Sequence, residues 1–238
     1  MAELTQAQED TVAVAMQQAY DTWLPVVQRT VLLSYNRYGM MPDPAAINST
    51  AALWRSEIEQ VENQQLAPIA AENYKSEAVE DTFTVGDAIM VGAAAATLVY
   101  LMGQIGEIQS TLVNLTLGVT AVVAAASITQ FLDPQNPHWA AKSRQVAATE
   151  GDRWAQAGTL SGALSAQRRD GIRRQKIWQT RRDNLVRDAH EHAQGQRKDL
   201  TEPFIVGGFP MMYPMDPAAP PSLVVNCRCW LRIVKRGA

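Results

Sequence analysis

The chain has 238 residues, 47% of them apolar, and a formal net charge of −3, which suits one or two packed domains and excludes a disordered chain. Its two cysteines lie one residue apart, which excludes a disulfide framework and would make a bridge between them a strained ring. The stretch MAELTQAQED holds three acids and no base, so no secretory signal pattern is read there and a cytosolic setting is expected.

Charge is distributed unevenly. Residues 1–138 carry 4 basic and 15 acidic side chains, residues 139–238 carry 17 and 9. The first part offers an acidic surface and the second a basic one, suited to nucleic acid or to an acidic protein. No run of aromatics interleaves the basic residues, so the stacking pattern of single-strand binders is missing.

In chain order, residues 3–38 read as helix, with Val12, Met16, Ala19, Tyr20, Trp23, Val27 and Val31 forming one apolar stripe. Pro25 should kink that helix or start a second one, and Gly39 with Pro42-Asp43-Pro44 should end it. Ser49 is placed to cap the next helix, whose apolar face carries Leu53, Trp54, Ile58, Val61, Gln65 and Ile69. Glu57, Glu59, Glu62 and Glu72 fall on the other side, read as a solvated face or a docking surface for a basic partner.

Residues 88–106 and 108–132 carry no charge and are split by Glu107. Each is long enough to cross a bilayer. Their polar residues, modest hydrophobicity and lack of basic or aromatic anchors favour two Ala-rich apolar helices packed in protein instead. Gly92, Ala96, Gly103 and Gly106 would suit close helix pairing. Asp133-Pro134-Gln135-Asn136-Pro137 is a turn and an expected boundary. The division is therefore 1–80, an acidic helical region; 81–138, an apolar helical hairpin with linker; and 139–238, a small α+β domain.

In the last part, residues 138–166 read as helix, with Val146, Trp154, Ala157, Leu160 and Leu164 inward. Asp170-Gly171 marks a turn before a strand at Ile172–Trp178. Thr180-x-x-Asp183 resembles a capping box for a helix through Ala193, ended by Gly195. That helix would put Arg187 and His190 on one face, and Asp188 and His192 on another. A proline-rich loop with Phe204, Phe209 and Tyr213 follows. Leu223–Val225 and Trp230–Val234 are β-rich runs on either side of Asn226-Cys227-Arg228-Cys229.

If Cys227 and Cys229 lie in a strand, alternation puts both thiols on one face. With His190 they make three candidate zinc ligands, and His192, Asp188 or Asp216 is a candidate fourth. The alternatives are a reduced structural pair packed under the loop and a redox-active pair. A cysteine nucleophile with His190 as base and Glu150 or Asp188 as its orienter can be written down. No phosphate-binding loop, His-Glu-x-x-His or nucleophile elbow supports it, and no enzyme is expected.

The order Thr149-Glu150, Lys176-Ile177-Trp178, Arg187 with His190, Gly195, Pro203-Phe204 and Asn226 to Cys229 resembles the C-terminal domain of the phage Mu F-like minor head proteins, also called phage head morphogenesis proteins. The resemblance covers roughly residues 139–235; the Lys-Trp pair here is split by Ile177. It implies a virion protein at the portal vertex or inside the capsid, acting in head assembly and in DNA packaging or delivery. Its partners would be the portal protein, the major capsid protein and packaged double-stranded DNA, with a membrane as a further partner during DNA ejection. It also implies that Glu150 turns inward to pair with Arg153 or Arg187. Arg168, Arg169, Arg173, Arg174, Arg181 and Arg182 are then the expected contacts to DNA or portal.

Overall fold

In the computed structural model, residues 4–38, 43–78, 83 and 87–237 are described. The stops expected at Gly39 and Pro42, and the division expected at residues 80–81, lie outside them.

Helix α1 (Gln6–Tyr38) buries the expected stripe from Val12 to Val31. Pro25 does not interrupt it. That residue sits on the exposed face, where water can satisfy the Asp21 carbonyl that a proline leaves without a donor. Helix α2 (Pro44–Asn48) is capped by Asp43, whose carboxylate accepts from the Ala45 amide at 2.9 Å. Helix α3 (Ala51–Val61) starts after Thr50, not under a Ser49 cap. The Ser49 hydroxyl donates back to the Ala46 carbonyl at 2.7 Å, and Thr50 Oγ1 accepts from Trp23 Nε1 at 2.9 Å.

The helix expected to continue through Ile69 is interrupted by a π-turn (Glu62–Leu66) before α4 (Ala67–Ala78). A π-turn adds a residue to the helical ladder and shifts the face that follows. Glu62, expected on the solvated side, is therefore half-buried, and its Oε1 meets no partner among the described residues. Burial, then the neighbouring Glu150, push its acid up to about 7.

The two Ala-rich apolar helices are α5 (Ala88–Met102) and α7 (Ala121–Phe131), with α6 (Gln104–Thr116) between them. The chain does not turn at Glu107. Helices α5 and α6 run on as a 29-residue rod, Ala88–Thr116, long and apolar enough to cross a membrane. Glu107 is tolerated inside it because it pairs with Lys142 at 2.8 Å. The turn comes at residues 117–120, where Gly118 takes φ +73°.

Helix α8 (Pro137–Asp170) is the central element, and packs on α1, α4 and α5. Its start is specified by Asn136, whose side chain accepts from the His138 amide at 3.0 Å, and by Pro137 in the first turn. Its end is specified by Gly171 at φ 68°. Gly158 and Gly162, one turn apart, let α4 approach so closely that a Cβ at either would collide with the Ala70 or Tyr74 backbone. A single apolar cluster runs from Leu4 to Leu231, so the turn at residues 133–137 joins helices that share one core.

Beyond α8 lie β1 (Arg174–Thr180), α9 (Asp188–Ala193), β2 (Arg197–Asp199), β3 (Phe204–Val206), β4 (Phe209–Met211), α10 (Pro221–Val224) and β5 (Cys229–Lys235). Strands β2, β1 and β5 form an antiparallel sheet in that order, and β3 with β4 forms a hairpin. The protein is thus mainly α with a small C-terminal α+β part. Two local expectations change. The helix expected from Thr180 is only α9, because Asp183 receives Arg228 and the Leu185 amide (3.1 Å) in place of capping a helix. Leu223 and Val224 lie in α10, started by Pro220 and Pro221, and not in a strand.

Candidate metal centre and its surroundings

Strand alternation sends Lys176 and Trp178 to the same side, because Ile177 separates them. Both are fully buried, and both meet Phe204. The Trp178 ring meets Phe204 edge-on at 5.4 Å, and the Lys176 ammonium sits 5.1 Å over the Phe204 ring. Lys176 Nζ donates to the Met212 carbonyl at 2.7 Å, tying the proline-rich loop to the sheet. Burial pushes its ammonium down to about 7, against the attraction of Asp216.

Helix α9 turns His190 inward, 1% exposed, with its ring perpendicular to Trp178 at 5.7 Å. Only Cys229 arrives from a strand; Cys227 arrives from the turn before it. Asn226 takes φ 52°, a left-handed conformation that Asn tolerates better than most residues, and its amide donates to Thr149 Oγ1 at 3.2 Å. Cys227 follows in that turn and Cys229 begins β5. Both thiols converge on one imidazole nitrogen: His190 Nδ1 lies 3.2 Å from Cys229 Sγ and 3.4 Å from Cys227 Sγ.

The ligand atoms of His190, Cys227 and Cys229 lie within 4.8 Å of one another, and all three residues are buried, so the group could hold a metal ion. None of the expected fourth ligands joins it. His192 is exposed and its Nδ1 is 2.7 Å from the Asp188 carbonyl. Asp188 is exposed as well. Asp216 spends its carboxylate on the Met212 amide (2.5 Å) and the Ala218 amide (2.9 Å). Without a metal, the adjoining Cys229 and burial hold the Cys227 thiol well above its usual range, with His190 opposing. A buried neutral thiol is a packing group and a poor nucleophile.

Thr149, which holds the Asn226 amide, is followed in α8 by a buried ion pair. Glu150 is fully buried and pairs with Arg153, three residues on, while accepting from Thr97 Oγ1 at 2.6 Å. Its pairing is with Arg153 and not with Arg187, which reaches the Val225 carbonyl at 2.5 Å. Arg153 Nε also holds the Met215 carbonyl at 3.1 Å. Arg228 leaves the cysteine face and pairs with Asp183.

The six arginines expected to contact DNA or portal fall into two groups. Arg168, Arg169, Arg173 and Arg174 surround the Gly171 turn; Arg181 and Arg182 follow the far end of β1, roughly 20 Å away at strand rise. Five are exposed and Arg174 is half-buried, bound to Asp170 at 2.6 Å. Arg169 also caps the Ala78 carbonyl at the end of α4.

Thr97, Gln156 and Gln104 had no sequence signal. Thr97 lies in an Ala-rich apolar helix and bonds both Glu150 and Trp154 Nε1 (3.0 Å). Gln156 accepts from the Leu231 amide at 2.8 Å, fastening β5 to α8. Tyr20 donates to the buried Gln104. Comparison with protein-family models, with curated proteins and with solved structures found no match to this chain.

Proposed function

We propose that this chain is a minor head protein of a tailed phage, similar to the Mu F-like group, associated with the portal or capsid interior and aiding head assembly and DNA packaging or delivery. One observation carries the reading. Residues that match the group's pattern, spread from Thr149 to Cys229, occupy one neighbourhood: Asn226 binds Thr149, Arg187 holds Val225, Trp178 packs on His190 and Phe204, and His190 meets both cysteines. An accidental order of common residues gives no reason for such convergence. The basic surface around Gly171 suits sequence-independent contact with DNA phosphates, weakening steeply as salt rises. No catalytic role is proposed.

Protein mass spectrometry of purified particles, before and after triggered DNA release, tests this directly. The chain is expected in full particles and in emptied ones. Its absence from both would overturn the virion assignment. Departure with the DNA would favour a second reading, a membrane-active ejected protein. That alternative has its own support: only 33% of the most apolar window of the Ala88–Thr116 rod is buried, and Val91, Val99, Val122 and Val123 are exposed.

The metal best suited to two thiolates and an imidazole is zinc. In this reading His190, Cys227 and Cys229 hold it, and it pins the turn at Asn226 to α9 rather than activating a substrate. The purified chain is expected to bind one zinc, and cobalt substitution should produce thiolate charge-transfer absorption. Cys227→Ser and Cys229→Ser should each abolish that absorption and lower the midpoint of unfolding. A native chain that takes up neither metal would remove zinc from the proposal, leaving a reduced, packed thiol pair.

A further inference from the structure

A cavity of about 520 Å³ lies between α5 and the segment leading into α10, within the size range of small-molecule sites. Its walls are Gly92, Ala96 and Val99 on one side and Pro217, Pro221 and Val224 on the other. A Cβ added at Gly92 would meet nothing within 4 Å, so the chain's own packing does not require glycine there. Three polar residues, Arg153, Tyr100 and Thr149, also line the cavity.

Arg153 is the decisive one. It is 4% exposed. Its Nε is committed to Met215 and its Nη1 to Glu150, but among the described residues nothing accepts from Nη2. Nη2 therefore has donors to offer, and it is not sealed from solvent where Arg153 lines the cavity; carboxylate is the geometry a guanidinium fits best. The Tyr100 hydroxyl makes no hydrogen bond to a described residue. Thr149 Oγ1 receives the Asn226 amide and keeps its own proton to donate.

We propose that this cavity binds the carboxylate end of an apolar acyl chain, with the carboxylate on Arg153 Nη2 and the Tyr100 and Thr149 hydroxyls, and the hydrocarbon along α5. The walls favour hydrocarbon over a peptide: alkyl side chains and two prolines offer little to satisfy a peptide's amides, and unpaired amides oppose burial.

Calorimetry on the full chain with decanoate and decanol, both below their aggregation limits, tests it. Decanoate is expected to bind one to one, and decanol about tenfold or more weaker, since it lacks the charge that pairs with Arg153. Ala96→Leu fills the cavity from its wall and should weaken decanoate by a similar factor; Tyr100→Phe, which keeps the ring, should weaken it severalfold. Circular dichroism verifies that both variants are folded. Equal affinities for decanoate and decanol, unchanged binding in Ala96→Leu, or no binding would each overturn the proposal. So would a dimer, seen by sedimentation, that Ala96→Leu dissociates and decanoate does not, because a second copy would then be the occupant.

Discussion

Gly158→Leu is expected to lower the free energy of unfolding by about 3 kcal/mol or more, and Gly158→Ala by about 1–3 kcal/mol. The cause is local. Helices α4 and α8 touch backbone to backbone at this point, and a Cβ on Gly158 would overlap the carbonyl and Cα of Ala70. Backbone cannot move aside as the tip of a flexible side chain can, so the helices must separate. Separation thins the packing around Ala70, Ala155 and Ala157, all fully buried. Gly162 meets Tyr74 in the same way one turn later. Gly92→Ala is the matched control: it lies in a helix, nothing would touch the new methyl, and alanine is the better helix former. Urea unfolding followed by circular dichroism should therefore show the two substitutions moving the midpoint in opposite directions. A Gly158→Ala chain as stable as the parent would mean that α4 and α8 do not pack this closely.

That contrast shows where the sequence was readable. Periodicity placed α1 and most of α8 because their stripes bury large side chains such as Met16, Trp23 and Trp154. The same method was blind to Gly158 and Gly162, since a close helix crossing leaves no apolar side chain to count. It also missed the π-turn at Glu62–Leu66, because one inserted residue shifts a stripe without removing it. Glu107 reads as a break in the apolar region, although a single charge with a partner in Lys142 sits comfortably in a helix. Near Thr180 a local signal lost to a distant one: the carboxylate of Asp183 could cap a helix, but Arg228, forty-five residues on, claims it. The cysteines and His190 were legible as a set through the order of surrounding motifs. How they meet was not, because it depends on a left-handed Asn226 rather than on strand alternation. Of the fourth-ligand candidates, Asp216 was withdrawn by two backbone amides that no pattern of side chains announces.

Arg153→Ala is expected to destabilise the chain by about 3–5 kcal/mol near neutral pH, the range for removing one partner of a buried ion pair. Glu150 would be left fully buried with only Thr97 as a hydrogen-bond partner, and the Met215 carbonyl would lose its donor. The pH dependence identifies the cause. Burial raises Glu150 above its ordinary value of 4.5, and Arg153 is the main force holding it down. For an acid raised on folding, the folded state holds a proton that the unfolded state gives up, so stability is fullest below 4.5 and declines as pH rises through the folded value. Removing Arg153 raises that value further and extends the decline. The loss measured by urea unfolding should accordingly be larger at pH 8 than at pH 4.5, and Glu150→Gln added to Arg153→Ala should recover stability at pH 8 while changing little at pH 4.5. An equal loss at both values would place the effect in packing instead of charge. The loop supplies a second readout. Arg153 holds Met215, and Thr149, one residue before Glu150, receives the amide of Asn226 beside Cys227. A carboxylate that relaxes without Arg153 should disturb that turn, so metal uptake at His190, Cys227 and Cys229 should weaken in the single variant and return in the double one.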